Sequence, residues 1–169
     1  MELQAQSHRW ESRVPDWPAA IAAGLVAGAV AMAMDLLWTT LMLGSNPWHT
    51  AHQVAAMLLG ADVLQGPTQV FKLGIVAAAL LIHYGLGVIF GCILAFIVTG
   101  FHYEGSLPVL EVVGGLFGIA LYFINFYGFA GVFPWVAEMR SGAYLVEHLV
   151  FGMTAALVYW KLARHGDGH

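Results

Sequence analysis

Long apolar stretches separated by short polar segments dominate the pattern of this chain. Four such stretches, at positions 19–43, 73–99, 108–133 and 142–160, contain few charged residues. Each comes close to or exceeds the ~20 residues that an α-helix needs to cross about 30 Å of hydrocarbon. Because lipid offers backbone groups no hydrogen-bond partner, each stretch must satisfy its own, as a helix does. The pattern predicts an all-α integral membrane protein, with four transmembrane helices in a single domain over residues 1–169.

Composition narrows the class further. Of the 169 residues, 60% are hydrophobic and 9% are charged, whereas about a quarter of the residues in a soluble domain are charged. The net charge of −4, without a basic stripe, argues against nucleic acid as a partner. The single cysteine, Cys92, has no partner for an internal disulfide. The first stretch is too long, and its leader too acidic, for a cleaved signal peptide, so we expect it to be retained.

The basic residues predict the orientation in the membrane. Those near the two ends of the chain are Arg9, Arg13, Lys161 and Arg164, and those in the loops are Lys72 and Arg140. An even number of helices puts both termini on one side, and an excess of Lys and Arg marks the cytoplasmic side. We therefore expect both termini to be cytoplasmic. The pattern of two hairpins is similar to that of many small bacterial membrane proteins, which implies a bacterial inner membrane.

An internal repeat relates the two halves of the chain. The first and third stretches share four positions at a constant separation of 90 residues. These are Pro18, Gly24, Gly28 and Asp35, matched by Pro108, Gly114, Gly118 and Asn125. The second and fourth stretches match more weakly, through His83 and Gly87 against His148 and Gly152. We interpret the chain as two tandem helical hairpins, at about 16–99 and about 106–162, with a pseudo-twofold axis along the membrane normal.

The first loop carries an additional segment, "NPWHTAHQVAAMLLG". Asn46 suits the N-cap of a helix, Pro47 suits its first position and Gly60 suits its end. The segment predicts a short interfacial helix over 47–59. Its His49 and His52 share a face and could chelate a metal, although a polar face turned to water or headgroups is the commoner meaning of such a pair.

Each transmembrane stretch carries a polar residue on the face that holds its small residues. The four are Asp35, His83, Asn125 and His148. Small residues mark where membrane helices pack closely, and counting 1.5 Å per residue puts all four about 10–15 Å from the same side. We expect them to form one layer, with Asp35 either neutral or paired, most simply with a histidine, because an ionisable group there costs about 2.5–3.5 kcal/mol. Glu147 adjoins this layer but points ~100° from His148, so we expect it to face a neighbouring helix or another subunit.

The composition of this layer favours a structural role. As interhelical contacts, such groups contribute ~0.6 kcal/mol each on average. The protein would then be a non-catalytic subunit, or an assembly or scaffold component, of a larger membrane complex. Little mass lies outside the bilayer, so we expect a homo-oligomer or contacts with other membrane subunits, besides lipid. No nucleophile elbow, phosphate loop or paired-cysteine motif is present in the sequence, so we do not expect an enzyme.

Three binding hypotheses remain open beside the structural one. His83 and His148 could ligate a b-type haem, with Arg140 and Lys72 as partners for its propionates. Asp35 together with both histidines could bind a transition metal. An Asp–His pair could also relay protons or pass a small solute, with Glu111 as a relay group nearer the cytoplasm. We expect Asp35, His83 and His148 to converge inside the bundle and to form a single coupled site.

Overall fold

A computed structural model describes residues 14–42 and 46–166 of the chain. Within these ranges all regular structure is helical, in five α-helices: α1 (Trp17–Leu37), α2 (Trp48–Leu59), α3 (Leu73–Gly100), α4 (Leu107–Phe123) and α5 (Gly142–Gly166). Four helical spans are long and apolar enough to cross a membrane: Trp17–Leu41, Leu73–Gly100, Leu107–Gly131 and Gly142–Ala163. The prediction of an all-α protein with four such helices is confirmed. Residue 43, where the first predicted span ends, and the N-terminal arginines lie outside the described residues.

Two transmembrane helices continue beyond their α-helical part with π-helical geometry. α1 runs on through Trp38–Met42, and α4 runs on through Ile124–Gly128. π-Helical turns are rare and are frequently found at functional sites. Here each turn lies beside one of the predicted polar residues, since Asp35 precedes the first and Asn125 lies within the second. The extra residue per turn shifts the side chains that follow away from an α-helical register.

α1 and α5 form the centre of the bundle. α1 packs against α3 on one side and α5 on the other, and α5 also packs against α4. The glycine stripes make these approaches possible: Gly24 lies against the backbone of Gly87, and Gly114 lies against that of Gly152. A Cβ atom added at Gly114 would lie 2.6 Å from the Gly152 carbonyl oxygen, well inside van der Waals contact. The glycine faces are therefore where the helices meet.

These two glycine contacts occupy corresponding places in the two predicted hairpins. The hairpins themselves, however, are not arranged about a simple twofold axis. Such an axis would exchange α1 with α4 and α3 with α5, so that the α1–α5 and α3–α4 contacts would be equivalent. Instead, α1 packs extensively on α5, whereas α3 and α4 touch at few positions. The duplication of the hairpin stays a prediction, and its predicted symmetry is not followed in the packing between the two copies.

The bundle is closed at the end where α1 begins and α5 ends, which we call the terminal face. Small and branched side chains pack there without exposure, among them Ala23, Ala27, Leu94 and Val98. A buried hydrogen bond of 2.8 Å joins the Thr99 and Tyr159 hydroxyls in the same region. The opposite end, where α1 ends and α3 and α5 begin, is less tightly filled. We call this end the α2 face.

α2 covers part of the α2 face. Asn46 Oδ1 accepts a hydrogen bond from the Trp48 backbone N–H at 2.9 Å, and Gly60 ends the helix at a positive φ of 92° that favours glycine. Ala55 packs against Ile75 and its neighbours on α3. The helix expected over 47–59 is therefore present, and its location at the membrane interface stays a prediction.

Candidate intramembrane binding cavity

A cavity of about 170 Å³ lies between the four transmembrane helices on the side of the α2 face. We call it the inner cavity. The polar residues that line it come from α1, α3, α5 and the π-helical end of the third span: Asp35, His83, Asn125, Tyr144, Glu147 and His148, with Thr50 from α2. The structure thus brings together all four residues of the predicted polar layer at one cavity.

Asp35 is held by hydroxyl groups. Its Oδ1 atom accepts hydrogen bonds from the Tyr144 hydroxyl at 3.1 Å and from Thr39 Oγ1 at 3.3 Å. Among the described residues, no histidine makes the expected hydrogen bond to Asp35, although His83 lines the same cavity. Tyr144 reaches Asp35 from α5, one turn before His148. Its position on the face of His148 is a sequence signal that could have identified it.

His83 binds the backbone of α1. Its Nε2 atom lies 2.8 Å from the Gly28 carbonyl oxygen, and since a carbonyl can only accept, Nε2 carries the hydrogen. In the neutral ring, Nδ1 is then an acceptor. Gly28 allows this approach, because a Cβ there would lie 3.5 Å from the same Nε2 atom. The predicted small-residue face of α1 thus provides the docking position for this ring.

His148 has partners at both ring nitrogens. Nδ1 donates to the Tyr144 carbonyl oxygen at 2.8 Å, so Nε2 accepts from Asn125 Nδ2 at 3.1 Å. The ring also packs against Tyr122 and Phe126, at centroid distances of 5.9 and 5.3 Å. The other side-chain atom of Asn125, Oδ1, is buried and has no hydrogen-bond partner among the described residues.

Glu147 also lines the inner cavity. Of the two orientations expected, toward a neighbouring helix or toward another subunit, this position corresponds to the first, since Asp35 of α1 lines the same cavity. The cavity is wide enough to admit two consecutive residues of α5 that point ~100° apart. The Glu147 carboxyl group lines the same cavity as that of Asp35 on α1. Within the described part of the chain, no hydrogen bond to the Glu147 side chain is formed. The site therefore contains two carboxylates, of which one lacks a protein partner.

The haem and metal hypotheses gain no support from this geometry. Both nitrogens of His148 are already hydrogen-bonded, and a cavity of about 170 Å³ resembles one that holds benzene, ~150 Å³, rather than a porphyrin. Across residues 14–42 and 46–166, no three His, Cys, Asp or Glu side chains are placed to hold a metal ion. Arg140 donates to the Phe126 carbonyl at 2.9 Å and stacks on Tyr127, and Lys72 is exposed just before α3.

The remaining predicted residues lie elsewhere. His49 is exposed and lies 3.0 Å from Thr68 Oγ1, whereas His52 is 1% exposed and donates from Nδ1 to the Trp48 carbonyl at 2.8 Å. The two rings do not form a pair, and the polar face that carries His52 is turned into the protein because α2 docks on α3. Glu111 lies near the start of α4 and does not line the inner cavity.

A second, more polar cavity of about 360 Å³ opens on the α2 face. We call it the vestibule. Thr50, Met139 and Tyr144 line both cavities, and the Thr50 and Tyr144 hydroxyls are 3.5 Å apart. α2 is fixed beside it by two hydrogen bonds, from Trp135 Nε1 to the Gln53 carbonyl and from Gln53 Nε2 to Glu138. The vestibule is thus separated from the inner cavity by a thin layer of side chains.

In comparisons with known proteins, no family model, curated protein or solved structure matches the chain. The function is therefore argued from the geometry of the two cavities.

Proposed function

We propose that the protein is a non-catalytic membrane protein that binds a small polar solute in the inner cavity, which the solute reaches from the α2 face. The observation that carries this proposal is the convergence of polar side chains from separate helices on one cavity, directly behind a polar vestibule. The proposal belongs to the solute-passing hypothesis and leaves the haem and metal hypotheses aside.

Interhelical adhesion alone does not account for this site. Polar groups that only hold helices together form hydrogen bonds with one another across the helix interface. Here Asn125 Oδ1 is buried with no partner in the described ranges, and the Glu147 carboxylate accepts no hydrogen bond there. A buried polar group without a partner costs about 1–3 kcal/mol. A bound solute that supplies the missing hydrogen bonds offsets that cost.

The shape of the bundle favours access from one side. Toward the terminal face, the inner cavity ends at fully buried alanines such as Ala27 and at the Gly24–Gly87 contact. Toward the α2 face, Tyr144 and Thr50 separate it from the vestibule. With the termini in the cytoplasm, as the basic residues predict, the solute would enter from the opposite side of the inner membrane.

Cysteine accessibility tests the proposal. Ala31 lines the inner cavity, and Ala27, one turn closer to the terminal face, is 0% exposed in the core. Each is replaced by cysteine in a Cys92→Ser background, and a small, neutral, polar methanethiosulfonate is added to the protein in lipid nanodiscs. We expect Ala31→Cys to be modified and Ala27→Cys to stay unmodified, as measured by mass spectrometry.

A lipid-facing control makes the result specific. Leu116 is 62% exposed on the outer surface of α4, and a cysteine there tests whether the reagent reaches thiols through lipid. Modification of Leu116→Cys at the rate of Ala31→Cys, or no modification at Ala31→Cys, would contradict a water-accessible cavity. The scaffold hypothesis would then be the better account of the polar layer.

The membrane and orientation that we propose for the protein rest on the sequence pattern. We place it in a bacterial inner membrane with both termini cytoplasmic and with α2 at the outer interface. The large apolar surface, for example Leu81 and Val112 at 66% and 62% exposure, contacts lipid, and part of it is proposed to contact further copies of the chain.

A further inference from the structure

The hydrogen-bonding capacity left over in the inner cavity defines the solute that it can bind, and this argument rests on the proposed function. The donor atoms that face the cavity already have acceptors. Tyr144 donates its hydroxyl to Asp35, and His83 donates Nε2 to Gly28. His148 donates Nδ1 to the Tyr144 carbonyl. The Asn125 amide nitrogen, in turn, donates to Nε2 of His148.

Apart from the second amide hydrogen of Asn125, the groups that remain are acceptors. Asn125 Oδ1 is buried and has no partner in residues 14–42 and 46–166. The Glu147 carboxylate and the second oxygen of Asp35 accept no hydrogen bond from the same residues. His83 Nδ1 is an acceptor in the neutral ring. A solute that fits this cavity must therefore supply donors rather than acceptors.

The charges favour a cation. Asp35 and Glu147 both line the cavity, and among the described residues that line it there is no Lys or Arg. Of the two basic residues at this end of the bundle, Lys72 is exposed, and Arg140 is bound to the Phe126 carbonyl and the Tyr127 ring instead. The two histidines of the lining direct their N–H groups to backbone carbonyls rather than to the carboxylates. In the low dielectric of the membrane, two carboxylates repel each other, and a bound cation relieves this repulsion.

The rest of the lining is aromatic and apolar. Phe90, Phe126, Phe129 and Phe151 face the cavity together with Leu86. Aromatic faces attract cations, and organic ammonium groups are the cations that such surroundings recognise best. A bare metal ion would instead require a shell of oxygen ligands, which the phenylalanines do not provide. The lining thus provides both apolar contacts for alkyl groups and carboxylates for a positive charge.

We infer that the solute is a small alkylammonium ion, whose N–H groups donate to Glu147 and Asp35 and whose alkyl part packs against the phenylalanines. The volume of about 170 Å³ limits it to roughly the size of benzene. Ethylammonium is a suitable probe because ethanol has a similar shape without the charge.

Isothermal titration of the full chain in nanodiscs tests this inference. We expect saturable binding of ethylammonium chloride and none of ethanol. Glu147→Gln keeps the side-chain shape but removes the charge, and it should weaken binding about tenfold or more. Glu111→Gln, the same change outside the inner cavity, should leave the affinity unchanged. Absence of saturable binding, or equal affinity in the two variants, would overturn the inference.

A second measurement does not depend on Glu147. At Ala31→Cys, a methanethiosulfonate that carries an ethylammonium group should react faster than one that carries an ethylsulfonate group, relative to their rates with a free thiol. The reverse order, or equal relative rates, would overturn the preference for cations. If the preference for cations fails but the neutral reagent still modifies Ala31→Cys, the cavity binds another class of solute. The proposed function fails only if the neutral reagent also leaves Ala31→Cys unmodified.

Discussion

Removal of one hydroxyl group tests the arrangement at Asp35. In the structure, the Tyr144 hydroxyl reaches from α5 to α1 and donates to Asp35 Oδ1 at 3.1 Å. Tyr144→Phe deletes this bond and keeps the ring, which packs against Phe126 at a centroid distance of 5.4 Å. Asp35 is then left with the Thr39 hydroxyl at 3.3 Å. The variant therefore removes this interhelical hydrogen bond, together with the longer 3.5 Å contact to the Thr50 hydroxyl, with little change in packing.

The expected magnitude follows from the nature of this bond. Interhelical hydrogen bonds in a membrane protein average ~0.6 kcal/mol and reach ~1.7 kcal/mol, while bonds to charged groups in soluble proteins contribute about 1.5–3 kcal/mol. Among the described residues, Tyr144 is one of two donors to the Asp35 carboxylate inside the bundle, so we expect a value near the top of the membrane range. Tyr144→Phe should lower the free energy of unfolding by about 1–2 kcal/mol.

Reversible unfolding in mixed micelles, followed by circular dichroism, measures this change. Tyr122→Phe is the matched control, because Tyr122 is buried on α4 and its hydroxyl makes no hydrogen bond to another described residue. It should change the stability by less than about 0.5 kcal/mol. A double-mutant cycle of Tyr144→Phe with Asp35→Ala should be non-additive by about 1 kcal/mol. Equal effects of the two tyrosine variants, together with an additive cycle, would refute the reasoning.

Further predictions concern the glycine contact, α2 and the assembly. Gly114→Ala brings a Cβ to 2.6 Å from the Gly152 carbonyl and should destabilise the bundle by about 1–3 kcal/mol in the same unfolding assay, whereas Gly128→Ala, with open space around it, should have little effect. Trp135→Phe removes the 3.0 Å hydrogen bond to the Gln53 carbonyl and should speed hydrogen exchange in α2, measured by mass spectrometry; unchanged exchange would mean that other contacts hold α2. Native mass spectrometry should show a homo-oligomer, and a folded, binding-competent monomer would contradict this.

The transmembrane architecture could be predicted because it depends on local properties. The length of each apolar stretch defines a span, and the 3.6-residue period places Asp35 and His83 on the faces that carry glycines. These two facts, with a common depth, were sufficient to anticipate that the polar residues meet. α2 was also predictable, since Asn46 and Gly60 mark its ends.

The partners within the site could not be predicted in the same way. The π-helical turn at Trp38–Met42 follows Asp35 directly, and an α-helical projection does not anticipate it. Glu147 faces the inner cavity because of the width of the space between the helices, which no single helix determines. His52 is buried because α2 docks on α3, a contact between segments distant in sequence. Such features depend on tertiary packing, for which hydrophobic periodicity carries no signal.

Sided modification of Ala31→Cys tests the central claim most directly. The variant, in the Cys92→Ser background, is reconstituted in sealed vesicles, and its orientation is established by protease cleavage of an N-terminal tag. A small, membrane-impermeant methanethiosulfonate is then added to one side at a time. The account predicts rapid modification from the α2 face and none from the terminal face. Modification from the terminal face alone, or from neither face, would contradict the claim that a solute enters the inner cavity through the vestibule.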